Sequence, residues 1–240
     1  MTAAPCRDTI PLMPSFSHSG RRRRCPRPPR QAHFADTLGI VGLGLLGLAC
    51  LSAVPAQVPP APVRRYLGIP TEAFDFVAAM QQQDMWCWAA CVQMILGYYG
   101  IRLTQEQIVS RVFGQPFNEP ASDEVISASL NGWGLTEQGK RFVVQSRVLA
   151  GPPAPPILFR ELANRRPILL TFNAGLAVGQ AVVVTAASAI GRHIVSLVYR
   201  DPAVAPSSSD AHGRIELSFE ELAALLPMSR SHWLVSVHRA

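Results

Sequence analysis

The sequence predicts an α+β fold: an N-terminal helical half carrying a cysteine-bearing helix, followed by an antiparallel β-sheet half. Three observations predict it. Capped apolar helix patterns crowd between residues 84 and 134, and short β-branched runs follow them, "FVVQSRVL", "PILLTF", "AVVVTAA", "HIVSLVY" and "WLVSV". The 240 residues, 48% hydrophobic, suffice for one sizeable domain with appendages.

Residues 1–56 read as an export signal or membrane anchor. They hold seven arginines, Arg7, Arg21 to Arg24, Arg27 and Arg30, against the two acids Asp8 and Asp36. The formal net charge of +6 therefore belongs to this segment; fifteen basic and fourteen acidic residues remain elsewhere, which leaves no nucleic-acid footprint. "RRRRCPRPPR" precedes the uncharged apolar run from Leu38 to Val54, and small residues stand before a cleavage after Ala56. Cleavage would release the rest to the periplasm or the extracellular medium. Retention would make the run, close to the ~20 residues of a span, an anchor with its arginines inside. A third reading lipidates Cys50, although Gly47 stands three positions earlier where a branched aliphatic is usual. Any membrane contact runs through this segment.

Residues 57–64 form a proline-rich linker, and the domain occupies 65–240. Asp84 reads as the N-cap of a first helix, with Ala89, Val92, Met94, Ile95 and Leu96 as its apolar positions and Tyr99 and Gly100 at its end. Thr104 with Gln107 makes a capping box for a second helix through Val112. Ser122, Asp123 and Glu124 open a third that ends at "NGWG". Two helices, "FRELANR" and the Ser218-capped "SFEELAALL", interrupt the strand runs, and Ala203 to Gly213 reads as a mobile loop.

Cys6, Cys25 and Cys50 belong to the leader, leaving Cys87 and Cys91 in the domain. Four residues apart on one helix is poor geometry for a bridge, so two thiols are expected, Cys91 the more buried. No metal ligands are spaced around the pair, and no metal or organic cofactor motif appears. Cys87 lies in the first turn of its helix, where partial positive charge and free N–H groups stabilise a thiolate. Acyl transfer also needs donors for the developing oxyanion, and the Gln81 amide, six residues upstream, can fold back to supply one, with Gln82 and Gln83 as competitors. Trp88 reads as core, and Trp86 as a lining of the cleft.

These residues resemble the papain-like cysteine peptidases, most closely the secreted bacterial branch that includes bacteriocin-leader-peptidase-like and plant-effector-peptidase domains. The resemblance rests on Gln81-x5-Cys87-Trp88-Ala89-Ala90, on "MILGYYG", "RRPILLTF" and "GQAVVVTA…HIVSLVYRDP", and on helix-first, sheet-second order, across residues 65–240. It implies a papain-like fold, a nucleophile at Cys87, an oxyanion donor at Gln81, a triad acid at Asp201, and peptide or protein as substrate or ligand.

The sequence departs from the family at the third triad member. The family pattern is Gly-His at the head of the first hairpin strand, and here the pair is Gly179-Gln180. Glutamine cannot take a proton from a thiol near neutral pH. A hairpin turning near Ser188 to Arg192 would pair Ala187 with His193 and bring Gln180 near Arg200 and Asp201, leaving His193 about 20 Å from the site. His212, His232 and His238 are the remaining candidates for a recruited base. The expectation is an exported peptidase domain that has lost most or all activity and binds peptide or protein in its cleft. The alternative is an active thiol peptidase using Cys87 with a histidine from elsewhere.

Overall fold

The computed structural model of the chain describes residues 63–135, 139–173, 179–204 and 213–239. The leader and nearly all of the linker lie outside the described residues, as do His212 and most of the loop that reads as mobile.

The first described element is a strand, β1 (Arg64–Gly68), followed by α1 (Thr71–Asp75), α2 (Cys87–Tyr98), α3 (Gln105–Phe113) and α4 (Asp123–Leu130). Then come β2 (Gly132–Leu135), β3 (Arg141–Ala150), α5 (Pro155–Ala163), β4 (Ile168–Phe172), β5 (Gln180–Ile190), β6 (His193–Arg200), β7 (Arg214–Ser218), α6 (Phe219–Leu225) and β8 (Ser229–Arg239). One eight-stranded sheet has the order β2-β3-β8-β4-β5-β6-β7, and every pairing is antiparallel. β5 pairs with β6, with β4 through Gln180 to Val184, and with β1 through Ala186 to Ile190.

Helices cover both faces of this sheet. Alternate residues divide between two cores: Leu169, Ala181, Val183 and Trp233 pack with α2 and its neighbours, whereas Ile168, Leu170, Val182 and Val184 pack with Leu158 and Leu162 of α5 and Leu222 of α6. A strand buried on both faces has no polar side to alternate with, which is why "AVVVTAA" is continuously apolar. The same holds for α2, where nine of twelve residues are buried. Each large apolar side chain so buried contributes about 1.5–3 kcal/mol.

Several expectations need correction. Trp86, not Asp84, is the N-cap of α2, without a side-chain cap hydrogen bond, so Cys87 is the first helical residue. The β5–β6 hairpin turns at Gly191 and Arg192, with Gly191 at φ +61, a conformation that two-residue hairpins favour. Ala187 therefore pairs with Leu197 and Ile190 with His193. "Helix first" overlooks β1, an exposed strand preceded by prolines that carries no alternating pattern.

Candidate active site

Cys87 starts α2, where the first-turn N–H groups have no partner within the helix. It is 7% exposed, against 0% for Cys91, and both are free thiols. Burial is the main influence on the Cys87 thiol and raises its pKa, and the Asp201 charge pushes the same way. Backbone N–H groups of Ala181, Trp88 and Cys87 itself lower it without overcoming the burial. The helix terminus and the head of β5 thus supply donors to the sulfur but no cation.

Gln180 occupies the head of β5, and its Nε2 donates to Asp201 Oδ1 at 2.7 Å. The same oxygen accepts from the Ala203 N–H at 2.9 Å, a turn contact made by the residue that follows β6. Burial pushes the Asp201 carboxyl above its ordinary range, opposed by the Ala203 N–H and the Gln180 amide. Asp201 is fixed from behind as well: its N–H donates to the Gly213 carbonyl at 2.9 Å. A Cβ at Gly213, whose φ is +65, would lie 2.2 Å from the Asp201 carbonyl oxygen. Only glycine allows that approach.

Gln81 is tied to the same corner, its N–H donating to the Pro202 carbonyl at 2.9 Å. Its Nε2 donates to the carbonyls of Asp84 at 2.9 Å and Gln83 at 3.2 Å, which engages both amide hydrogens within the loop leading to α2. Serving an oxyanion from this position requires the amide to turn. Gln82 and Gln83 are exposed, and the Gln82 N–H is bound to Gln105 Oε1.

A cleft of about 290 Å³ opens beside Cys87 and Gln180. Gly179, Ala181 and Thr171 form its sheet side, and Trp88 and Ile126 its helical side. Trp88 is core as expected, 2% exposed, and also borders the cleft, whereas Trp86, expected to line it, is buried away from it with its Nε1 donating to the Phe117 carbonyl at 2.8 Å. Two charged lining residues escaped the sequence reading. Asp123 begins α4 and accepts from Ser231 Oγ at 2.5 Å, and Arg230 stands beside it in sequence on β8. An acid at a helix start is expected for helix reasons alone, which hid Asp123.

The described histidines lie away from Cys87. His193 is exposed at the far end of β5–β6, and His238 is exposed near the end of β8. His232 is buried beside Leu170 on the sheet face opposite α2, with its Nδ1 2.8 Å from the Gly151 carbonyl. Among the described residues no group of three His, Cys, Asp or Glu could hold a metal ion, and no helix is long and apolar enough to cross a membrane.

The family model described as papain-like cysteine protease AvrRpt2 matches residues 70–213. A double glycine motif protease from an AMS/PCAT transporter, solved with a leader peptide, is 15% identical over 66% of this chain and 89% of its own, with a TM-score of 0.41. The peptidase domain of Streptococcus ComA, a bi-functional ABC transporter of a quorum-sensing pathway, is 14% identical over 65% and 96%, with a TM-score of 0.43. No curated protein sequence matches.

Proposed function

This chain belongs to the papain-like cysteine protease AvrRpt2 family, and from that premise we propose that it is an exported peptidase-fold protein that binds peptide or protein in its cleft with little or no turnover. The observation that carries the reading is the 2.7 Å hydrogen bond from Gln180 to Asp201 at the cleft that Cys87 lines. In this arrangement Cys87 has the nucleophile's position, Gln81 that of an oxyanion donor and Asp201 that of the acid that orients a base. Gln180 fills the base position with an amide that neither accepts nor returns a proton near neutral pH. The thiol, its pKa raised by burial, stays protonated and weakly nucleophilic. Positioned proton transfer is worth about 10²–10⁴-fold in rate, and that factor is absent.

Cleavage of fluorogenic casein by the full-length protein is expected to match that by Cys87→Ala. Gln180→His, which places an imidazole next to an acid already held in position, is expected to raise it by at least about tenfold. Wild-type cleavage that Cys87→Ala abolishes would sink the proposal and favour a peptidase with a recruited base. His212 would then be the first histidine to replace, because it follows Asp201 in the chain.

Export rests on the order of basic stretch, apolar run and small residues in 1–56. Expressed in a bacterium and recovered from its envelope or medium, the mature chain is expected to begin at Gln57. Intact mass spectrometry reads this directly, and an intact leader on the protein would point to the anchor.

A further inference from the structure

The domain's near-neutral net charge conceals a local asymmetry on the side away from the cleft. A groove of about 630 Å³ runs between β1, α5 and the β5–β6 turn. Leu67, Phe159, Pro155 and Ala163 give it an apolar floor, and Arg65, Arg160 and Arg192 stand at its rim. Among the described residues neither Arg65 nor Arg192 pairs with a carboxylate. A second, more polar groove of about 570 Å³ shares Arg160 and continues past Arg147 and Arg166. The acid along this track, Glu161, is buried and already held by Arg160 at 2.7 Å and Arg166 at 3.7 Å.

We infer that this track is a second binding site, distinct from the cleft, for an extended acidic peptide segment in which apolar residues alternate with carboxylates. Charge complementarity selects the acid: five arginines meet one glutamate, which Arg160 and Arg166 share, so the track keeps an excess of four positive charges. The apolar floor selects against a bare polyanion, which would leave Leu67 and Phe159 unused. The floor is a poor match to a bilayer, since Leu67 and Phe159 are half-buried and pack against the core beneath α5, which leaves only part of each to insert. A strand-like segment fits both demands, because alternate side chains point to opposite sides and one row reaches the floor. The cleft lies at Gln180, at one end of β5, and the groove at Gly191, beyond the other. Ten strand residues separate them by about 30 Å, so a ligand occupying both needs on the order of ten extended residues between its two contacts.

The test uses the full-length protein and a fluorescein-labelled octapeptide of alternating Leu and Asp, titrated by anisotropy at low salt, with the Leu/Lys octapeptide as control. Saturable binding of the acidic peptide alone is expected, weakening with salt and falling at least about tenfold in Arg65→Glu/Arg192→Glu. Both side chains are exposed at the rim, and unchanged thermal unfolding of the double variant will show that its fold is kept. Arg230→Glu, which removes the cleft's arginine, is expected to leave this binding intact. Loss of binding in Arg230→Glu but not in the double variant would assign the acidic peptide to the cleft and overturn the inference. So would no saturable binding below about 1 mM. Phosphatidylglycerol vesicles that bind where the peptide does not, and release with the same double variant, would overturn it in favour of a membrane surface.

Discussion

At Cys87, the helix start and the Ala181 N–H favour a thiolate, yet burial outweighs them and the neighbouring carboxylate adds to the cost of a second negative charge. The sign is plain: a thiol pushed upward ionises on the alkaline side of its ordinary range, so its reactivity belongs there. Iodoacetamide labelling of Cys87, followed by peptide mass spectrometry, is expected to be slow at pH 7 and still climbing above about pH 8.5. In Gln180→His the midpoint should move down, because an imidazolium can pair with the thiolate. Labelling that stays fast below pH 7 in the wild type would mean that a base is already present. The spacing of Gln81 to Cys87 and the contact of Gln180 with Asp201 were legible in the sequence, although the hairpin register was not. The strands are offset from the expected pairing by three residues at the turn and four at Ala187, with irregularities at Val184/Ala186 and Ser188/Ala189. Gln180 still reaches Asp201 because the register, continued past Arg200, sets Asp201 opposite Val182, and a diagonal neighbour two residues away lies within a long side chain's reach.

Among the elements, those with chemical punctuation were readable and those without were not. Thr104 and Gln107 form the expected reciprocal capping box of α3, and Ser218 with Glu221 forms another for α6. Replacing Thr104 with alanine frees the Gln107 N–H, and a loss of about 1 kcal/mol is expected, measured by urea unfolding. No change would mean that the Gln105 side chain, buried and bound to Met80 and Gln93, anchors the start of α3 unaided. By contrast, α2 begins without a side-chain cap, so Asp84 was the nearest residue of the right type and the wrong one. β1 and β7 escaped notice because each is only five residues long with no fully buried residue, and β2 because four residues rich in glycine read as a turn. Arg200 shows what single-residue patterns cannot carry: it is 1% exposed, and its guanidinium binds Asp75 Oδ1 at 2.5 Å. That pair joins α1 to the end of β6 immediately before Asp201, across 125 residues of sequence. Nothing local announces such a contact, because only the folded chain brings its halves together.

Across the whole domain, the two cores and the site share one strand, β5. Its first residue faces Asp201, its interior divides between the helical layers, and its last residues hold β1. Helices on one side supply the thiol and the sheet supplies its neighbours, so helix-then-sheet order in the sequence becomes a cleft between the two. That division was legible from caps and periodicity, whereas the order of the strands depends on long-range pairing. β8 makes this concrete. Though encoded after every other strand, it lies between β3 and β4, pairing with nine residues of one and with the whole length of the other. A chain emerging N-terminus first, from a ribosome or through an export pore, therefore has two open strand edges until Ser229–Arg239 appears. Both edges are rich in large apolar residues, "FVVQSRVLA" and "ILLTF". For as long as the C-terminal strand is delayed or missing, the half-made sheet offers itself to any passing strand, and the cleft cannot be completed until that strand has filled the gap.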